Sequence, residues 1–375
     1  MKDNKPKVLV GSPVYLPRQG GASTYFSNLM NRLKDRVDFI VYTCRDPNAP
    51  VKEEEDGIRI LRMQPFLLDH PKPLRYLVLP PVTLFQLFGL RMKHGKFIIH
   101  AHACGAYGYI ISFFSRMVGQ EMIKEVQDMS DPAYNIKMGA VTRYVSTGTS
   151  IRDQLISFGV DPDKIITYPS LNPEIPEEVK KDIRVKPHQH DGNIELICIS
   201  ALRPYKGVDH LLRSMRIVQE RDPSIKLTIV GEGGMRKELE EYMEKNDLRN
   251  VELRGFVEDY HDVLRMMAGS DILVLSSASD EGNPRVILES FQFERPVIVT
   301  AAGGTPELIE DGKNGLLLPP REPEPFAEAI LKLAHDGKLR KKLGKAGKRF
   351  LEKLPTWDDL ADEIYEVYRD IWDRM

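Results

Sequence analysis

Residues 281–289 read Glu281-Gly282-Asn283-Pro284-Arg285-Val286-Ile287-Leu288-Glu289, a few positions after the apolar run Asp271-Ile272-Leu273-Val274-Leu275. The apolar run predicts a buried strand, and Pro284 predicts a nearby helix start, because its missing N–H costs nothing in the first helical turn. Glu281 would then lie on the loop at the carboxyl end of a parallel strand, where ligands bind in open α/β sheets, and Glu289 inside the helix. The unpaired N–H groups of a helix start attract anions. Two acids beside such a turn favour a phosphorylated sugar as ligand.

The composition is typical of a soluble globular protein. The 375 residues are 42% hydrophobic and 29% charged, with a formal net charge of −2. This length predicts two domains, and the near-neutral charge gives no reason to expect nucleic acid as a partner. The cysteines, Cys44, Cys104 and Cys198, are too widely spaced for a disulfide framework or a metal pattern. Together with an N-terminus that lacks a signal-peptide core, they lead us to expect a cytoplasmic protein.

One apolar segment allows two interpretations. The longest uncharged apolar stretch runs from Tyr76 to Leu90 and is interrupted by Pro80-Pro81. It is shorter than the roughly 20 residues that cross a bilayer. Basic residues flank it at Arg75, Arg91, Lys93, His94 and Lys96. We prefer to interpret residues 74–96 as a pair of core helices; the alternative is a peripheral contact with the inner surface of an anionic membrane.

Short apolar runs alternate with helical patterns in both halves of the chain, which predicts parallel sheets with helices on both faces. The predicted strands are 7–10, 39–42, 58–63, 97–100, 122–126, 143–145 and 164–167 in the first half, and 194–199, 226–230, 251–254, 272–275, 296–299 and 315–318 in the second. We predict an N-terminal Rossmann-like domain (1–170), a linker (171–193), a C-terminal Rossmann-like domain (194–355) and a final helix (356–375). The linker cluster His188–Asp191 lacks a third spaced ligand, so no metal site is expected.

Residues 281–289 resemble the acid-x7-acid signature of retaining glycosyltransferases of family four, which have the GT-B fold. Other motifs carry the same resemblance, namely Ser200–Gly207, Gly303–Glu307, Asp311–Gly315, Gly20-Gly21 and Trp357. The match covers nearly all of the chain and is most specific over residues 196–320. It implies an α/β GT-B architecture, in which two Rossmann-like domains with parallel sheets face a central crevice. It also implies that the last helix crosses back onto the N-terminal domain.

The resemblance implies a hexosyltransferase that moves a sugar from a nucleotide-diphosphate sugar to an acceptor hydroxyl and retains the anomeric configuration. The acceptor would be a glycan, a glycolipid or a small molecule, within polysaccharide or glycolipid biosynthesis. Glu281 matches the residue beside the donor sugar, and Glu289 matches the residue that binds the ribose hydroxyls. Lys206 is well placed as a point charge on the leaving diphosphate. Lys206, Arg203 and helix amides would neutralise the phosphates, so neither a metal nor another cofactor is expected.

Further residues are assigned to the donor by the same resemblance. The glycine pair after the first strand would approach the diphosphate through its backbone amides. A second glycine turn and the segment Arg254–Val257 would lie near the nucleobase. The predicted donor-binding residues besides Glu289 are Gly20, Gly21, Gly231, Val257, Asn283, Pro284, Arg285 and Val286.

The chain departs from the family pattern at two positions. Ala201 replaces an arginine, and Arg203 either contacts the same phosphate or is an ordinary loop residue. Gln127 replaces a histidine of a Val-x-His-Asp pattern. These departures motivate one alternative function, a non-catalytic nucleotide-sugar-binding protein. A second alternative is a GT-B-fold epimerase or hydrolase of nucleotide sugars, which would use the same two Rossmann-like halves; Gln127 in place of histidine argues against it.

The acceptor side is predicted to involve three residues, His102, Gln127 and Asp128. His102 follows a predicted strand of the first domain, and His100 on the same strand is considered with it. Gln127 donates and accepts hydrogen bonds but carries no charge.

Overall fold

The computed structural model describes residues 5–17, 21–62, 72–102, 105–126, 139–168, 170–175, 177–187, 193–279 and 283–375. The chain divides into two compact units, Met1–Pro169 with Pro355–Met375, and Ser170–Leu354. Each unit is built on a sheet of mainly parallel strands with helices packed against it. The predicted α/β class with two parallel sheets is therefore confirmed, and every predicted strand is present.

Within the described residues, the first unit contains β1 (Lys7–Gly11), β2 (Asp38–Thr43), β3 (Lys52–Glu55), β4 (Ile58–Arg62), β5 (Ile98–His102), β6 (Met122–Val126), β7 (Val141–Thr147) and β8 (Ile165–Tyr168). They form one sheet in the order β3-β4-β2-β1-β5-β6-β7-β8. All neighbours are parallel except β3 and β4. The central strands are buried along most of their length, as their Ile, Leu and Val content predicts.

Strand β3 was not predicted, because its sequence, Lys-Glu-Glu-Glu, is entirely charged. It pairs with β4 through the two-residue turn Asp56-Gly57, in which both residues have positive φ (50° and 79°). Asp-Gly is a favoured sequence for such hairpin turns. The charges on β3 suit an edge strand, because they oppose pairing with another sheet.

The described helices of the first unit are α1 (Gly21–Leu33), α2 (Lys72–His94), α3 (Gly105–Val118), α4 (Thr149–Ser157) and, after the second unit, α13 (Trp357–Arg374). Residues 74–96 were predicted as two helices, but α2 is a single helix that contains Pro80 and Pro81. The two prolines remove only two N–H donors from a helix of 23 residues. No helix among the described residues combines the length and apolarity that a bilayer crossing requires.

The last helix, α13, packs on α1 within the first unit. Its N-terminus is closed by a capping box between Thr356 and Asp359. One face, with Leu360, Ile364 and Ile371, is buried. At the edge of the contact, Arg32 Nε lies 2.7 Å from a carboxylate oxygen of Asp358.

A buried polar cluster ties α13 to the sheet. His100 Nδ1 on β5 lies 2.6 Å from the Tyr368 hydroxyl on α13. On the other side of the ring, His100 Nε2 lies 3.6 Å from Glu125 Oε2 on β6, and the Tyr168 hydroxyl donates to Glu125 Oε1 over 2.7 Å. Burial, reinforced by the Glu125 carboxylate, raises the pKa of Tyr168 and Tyr368 well above the usual value. Both hydroxyls therefore keep their protons and remain donors.

Tyr368→Phe is expected to lower the opening free energy of α13 by about 1–3 kcal/mol, because it leaves the buried His100 Nδ1 without its partner. Amide hydrogen exchange of α13 measures this energy without assuming that the two units unfold together. Tyr242→Phe removes the same atom from a partly buried tyrosine of the second unit and is the control. Equal protection of α13 in both variants would contradict a stabilising role for the cluster.

Within the described residues, the second unit contains β9 (Glu195–Ile199), β10 (Lys226–Val230), β11 (Val251–Gly255), β12 (Ile272–Leu275), β13 (Val297–Thr300) and β14 (Leu316–Leu318). They form an all-parallel sheet in the order β11-β10-β9-β12-β13-β14. The described helices are α5 (Glu177–Asp182), α6 (Val208–Arg221), α7 (Arg236–Lys245), α8 (Tyr260–Gly269), α9 (Arg285–Gln292), α10 (Thr305–Leu308), α11 (Pro323–His335) and α12 (Gly337–Leu351). The strand order reverses between β9 and β12, so the carboxyl ends of these two strands form the topological switch point.

Part of the predicted linker packs on the second unit. Ile175, Val179 and Ile183 form a hydrophobic cluster with residues of α8 and with Phe293. Lys186 pairs with Asp271 over 2.8 Å. The apolar residues recur every four positions between prolines and charges, which gives α5 one buried face. The cluster His188–Asp191 lies outside the described residues.

Candidate functional site

The loops that follow β9 and β12 are joined by hydrogen bonds at the switch point. The Ser276 hydroxyl, after β12, donates to the Gly207 carbonyl over 2.9 Å. The Ala278 N–H donates to the Tyr205 carbonyl over 2.8 Å. The motif around Lys206 therefore lies against the loop that leads to residues 283–289.

The close contact between the loops after β9 and β12 requires a glycine at position 207. Gly207 has a φ of 62°, and a Cβ there would lie 2.2 Å from the Ser276 carbonyl oxygen. No real side chain fits at that distance, and the left-handed backbone disfavours other residues. The glycine thus lets Lys206 sit directly beside the loop after β12.

The loops after β10 and β11 are held in the same way. A Cβ on Gly231 would lie 2.0 Å from the Ser200 carbonyl oxygen, and one on Gly233 would lie 2.3 Å from that of Leu202. The Leu202 N–H donates to the Glu232 carbonyl, and the Gly231 N–H to the Gly255 carbonyl. Four strand ends of the second sheet therefore present one connected set of loops.

The two predicted cations are Lys206 and Arg203. Lys206 ends a short 3-10 turn, Pro204–Lys206, and Arg203 directly precedes it. Lys206 is half-buried, and its ammonium lies 5.2 Å from the centre of the Tyr205 ring. Arg203 is exposed, and its backbone carbonyl accepts from the Lys206 N–H. Lys206 is therefore held close to the loop contact, whereas the guanidinium of Arg203 reaches into solvent.

The helix predicted near Pro284 is α9, which begins at Arg285 with Pro284 as its N-cap residue. Among the residues that the structure describes, no side chain caps this N-terminus. The buried side-chain amide nitrogen of Asn283 has no hydrogen-bond partner among the described residues. A helix start with an additional amide donor is suited to an anion.

Glu289 lies one turn inside α9 and is 4% exposed. One of its oxygens lies 3.7 Å from Arg285 Nη2, and the Tyr260 hydroxyl at the start of α8 interacts with the carboxylate. Burial, and then the Glu289 carboxylate, raise the pKa of Tyr260 far above the usual value, although 38% of the residue surface is exposed. The carboxylate thus lies between an arginine and a tyrosine.

The structure describes only part of the predicted site. Glu281, Gly20, Gln127 and Asp128 lie outside the described residues, and Gly21 begins α1. The remaining donor residues follow the strand ends of the second unit: Arg285 is exposed, and Val286 and Val257 are partly buried. In the first unit, His102 ends β5 and is partly buried.

His100, considered with His102 for the acceptor side, is fully buried in the cluster with Tyr368. Three residues that sequence reasoning did not select also lie in the loops or at a helix start of the second unit. Tyr260 contacts Glu289, Ser276 contacts Gly207, and Phe256 is 73% exposed directly after β11. An aromatic residue directly after a strand-ending glycine was a detectable signal for Phe256.

Residues 179–350 match the sequence model of the family described as glycosyl transferases group 1. The chain is also 28% identical over 378 residues to an uncharacterized glycosyltransferase of Methanocaldococcus jannaschii. The match covers 98% of this chain and 99% of the relative. The protein is a glycosyltransferase. This glycosyltransferase is 23% identical over 387 residues to the GDP-mannose-dependent alpha-(1-6)-phosphatidylinositol monomannoside mannosyltransferase of Mycobacterium tuberculosis, covering 97% of this chain and 98% of the relative.

Solved structures confirm the predicted GT-B fold of the glycosyltransferase. Sucrose-phosphate synthase from Thermosynechococcus elongatus superposes with a TM-score of 0.79 at 17% identity, over 99% of this chain and 100% of that chain. Anabaena HepE in complex with UDP-glucose superposes with a TM-score of 0.73 at 17% identity, over 97% and 99%. The family match and the relatives that span the chain together support nucleotide-sugar glycosyl transfer as the activity of this protein.

Proposed function

We propose that the protein is a retaining hexosyltransferase that transfers a sugar from a nucleotide-diphosphate sugar to the hydroxyl of a glycan, a glycolipid or a small molecule. The observation that carries this proposal is the contact between the loops after β9 and β12, through Ser276 and Gly207. It holds Lys206 beside the loop that leads to Asn283 and α9. A cation and an uncapped helix start at one switch point suit a leaving diphosphate.

The diphosphate would lie between Lys206 and the start of α9, where Asn283 offers its free amide donor. Arg203 would supply the charge that the arginine replaced by Ala201 provides in the family. These cations and amide donors neutralise the phosphates, so the proposal includes no metal or other cofactor. Gly20 and Gly21 would add backbone donors, with Gly231 and Val257 beside the nucleobase.

Glu289 would accept hydrogen bonds from the ribose hydroxyls, because a carboxylate accepts from two neighbouring hydroxyls at once. Glu281 would orient the donor sugar. In the reaction, the bond between the anomeric carbon and the phosphate oxygen breaks, and the acceptor oxygen bonds to the same face of that carbon. Attack on the same face retains the configuration without a protein nucleophile. The acceptor proton passes to the leaving diphosphate.

Tyr260→Phe tests the support of the ribose-binding acid. Loss of the hydroxyl that holds Glu289 is expected to raise the donor KM about three- to tenfold, with kcat within about twofold. Steady-state kinetics of nucleoside diphosphate release measure both constants. Tyr242→Phe, in the same unit, should change neither. An unchanged KM for Tyr260→Phe would mean that Glu289 needs no orienting partner.

The acceptor is proposed to bind near His102, Gln127 and Asp128 in the first unit. The mannosyltransferase of Mycobacterium tuberculosis is named for a phosphatidylinositol mannoside, which supports a lipid-linked acceptor. Such an acceptor places the protein in polysaccharide or glycolipid biosynthesis, in the cytoplasm or at the inner membrane surface.

The decisive experiment combines a donor panel with the stereochemistry of the product. The protein is incubated with UDP, GDP and ADP conjugates of common hexoses and a mixture of hydroxyl acceptors, and proton NMR follows the anomeric signal. Transfer from an α-linked donor is expected to give an α-linked product. A β-linked product would overturn the retaining mechanism. Free sugar or an epimerised donor as the main product, even with acceptors present, would favour the hydrolase or epimerase alternative.

A further inference from the structure

Two helices of the first unit expose an apolar surface. Eleven large apolar side chains are exposed among the described residues, and six of them lie on α2 and α3. We name this surface the α2–α3 face; it consists of Phe85, Phe88, Met92, Tyr109, Phe113 and Met117. Phe85 is 81% exposed and Met92 is 88% exposed. Such a concentration on two neighbouring helices marks an interaction site rather than scattered surface residues.

The spacing of these residues places them on one side of each helix. Phe85, Phe88 and Met92 follow helical periodicity, and so do the three residues of α3. The opposite sides face the core, where Leu87 and Phe114 are fully buried. The helices pack together, and the rings of Phe88 and Phe114 meet edge to face with their centres 5.2 Å apart. The outer side of α2 therefore lies beside α3.

The charged side chains of these two helices are all basic. Neither the sequence of α2, 72–94, nor that of α3, 105–118, contains Asp or Glu. Arg91, Lys93 and Arg116 lie at the C-terminal ends of the helices, where they flank the apolar side chains. Aromatic and methionine side chains beside Lys and Arg are the combination that inserts into the headgroup region of an anionic bilayer. A protein partner would need to supply acids as well as an apolar surface of matching shape.

We propose that the α2–α3 face docks on the surface of an anionic phospholipid bilayer. The apolar side chains enter the boundary between headgroups and acyl chains, while Arg91, Lys93 and Arg116 contact the lipid phosphates. This docking does not depend on sugar transfer. One consequence does rest on the proposed function: α3 begins three residues after His102, so docking would bring the proposed acceptor residue close to lipid-linked substrates.

Co-sedimentation with vesicles tests the proposal on the full chain, without nucleotide or acceptor. Vesicles of phosphatidylcholine with one third phosphatidylglycerol are compared with pure phosphatidylcholine at about 0.1 M salt, where surface charges act over about 10 Å. Wild type is expected to bind the anionic vesicles at least about tenfold more tightly. Phe85→Ser with Met92→Ser should weaken binding about tenfold, and Lys93→Glu with Arg116→Glu should weaken it at least as much.

Matched controls separate this surface from general effects. Phe158→Ser with Val185→Ser removes two other exposed apolar side chains. Lys341→Glu with Lys345→Glu changes the net charge from −2 to −6, as does the charge reversal on the α2–α3 face, since each substitution replaces +1 by −1. Both controls should bind like wild type. If they lose as much binding as the face variants, the proposal is overturned.

Two further outcomes would also overturn it. One is wild type that stays in the supernatant with both vesicle types. The other is a dimer, seen by light scattering, that Phe85→Ser with Met92→Ser converts to monomer while vesicle binding is unchanged, which would assign the face to a second copy of the chain. Donor turnover is measured separately in detergent-free solution. If wild type turns over the donor but does not bind vesicles, only the docking is refuted. If it binds vesicles but does not turn over any donor, only the proposed function is refuted.

Discussion

Lys206→Ala is expected to lower kcat about 100- to 1,000-fold, a loss of roughly 3–4 kcal/mol of transition-state stabilisation. Negative charge builds on the leaving diphosphate as the glycosidic bond breaks, so a fixed cation stabilises the transition state more than the bound donor. Lys206 is suited to this role because Gly207 and Ser276 hold its loop against the loop after β12. Release of nucleoside diphosphate at saturating donor measures the effect, and the donor KM should change much less.

Two further variants make this result specific. Lys206→Arg keeps the charge but replaces a compact ammonium by a planar guanidinium, so part of the activity should return. Lys237→Ala removes an exposed lysine of α7 in the same unit and should leave kcat unchanged. If Lys206→Ala retains turnover within about fivefold of wild type, the stabilising charge lies elsewhere, with Arg203 as the first candidate.

The strands could be predicted because each buried strand carries its own apolar signal. β12, Ile-Leu-Val-Leu, is buried at every position, and its burial follows directly from composition. β3 has no such signal, since its four charged residues become a strand only by pairing with β4. The sequence Asp56-Gly57 is typical of a hairpin turn, but the charged residues before it did not predict a strand. Local sequence therefore predicts apolar strands well, including the edge strands β8, β11 and β14, and misses the charged edge strand β3.

The candidate site shows a similar limit. Ligands bind at strand ends of a switch point, so sequence reasoning placed Lys206 in the loop after one strand and Glu289 in the helix after a second strand. It did not reveal that Tyr260, 29 positions before Glu289, contacts its carboxylate, because helix α8 is brought there only by the packed sheet. Nor did it decide between the two interpretations of Arg203, whose exposure depends on the turn that follows. Contacts between distant elements need the fold itself.

Glu289→Gln is expected to raise the Kd of the bound nucleoside diphosphate about 10- to 100-fold, or about 1.4–2.7 kcal/mol, because hydrogen bonds to a charged acceptor are stronger than those to an amide. The carboxylate is 4% exposed, so water cannot replace the lost acceptor oxygen. Calorimetric titration with UDP and GDP measures the change. Glu240→Gln, which disrupts a surface ion pair with Arg236, should bind like wild type.

The loss of nucleotide affinity caused by Glu289→Gln should also depend on whether the ribose carries its 2′-hydroxyl. Wild type is expected to bind a 2′-deoxy nucleoside diphosphate more weakly than the ribonucleotide, whereas the variant should bind the two nearly alike. In the double-mutant cycle formed by protein and ligand, that difference is the coupling between the carboxylate and the hydroxyl. Additive losses would place the ribose away from Glu289 and leave the acid as a structural partner of Tyr260 and Arg285. A coupling above about 1 kcal/mol would instead assign the ribose to α9, one turn from the helix start proposed for the diphosphate.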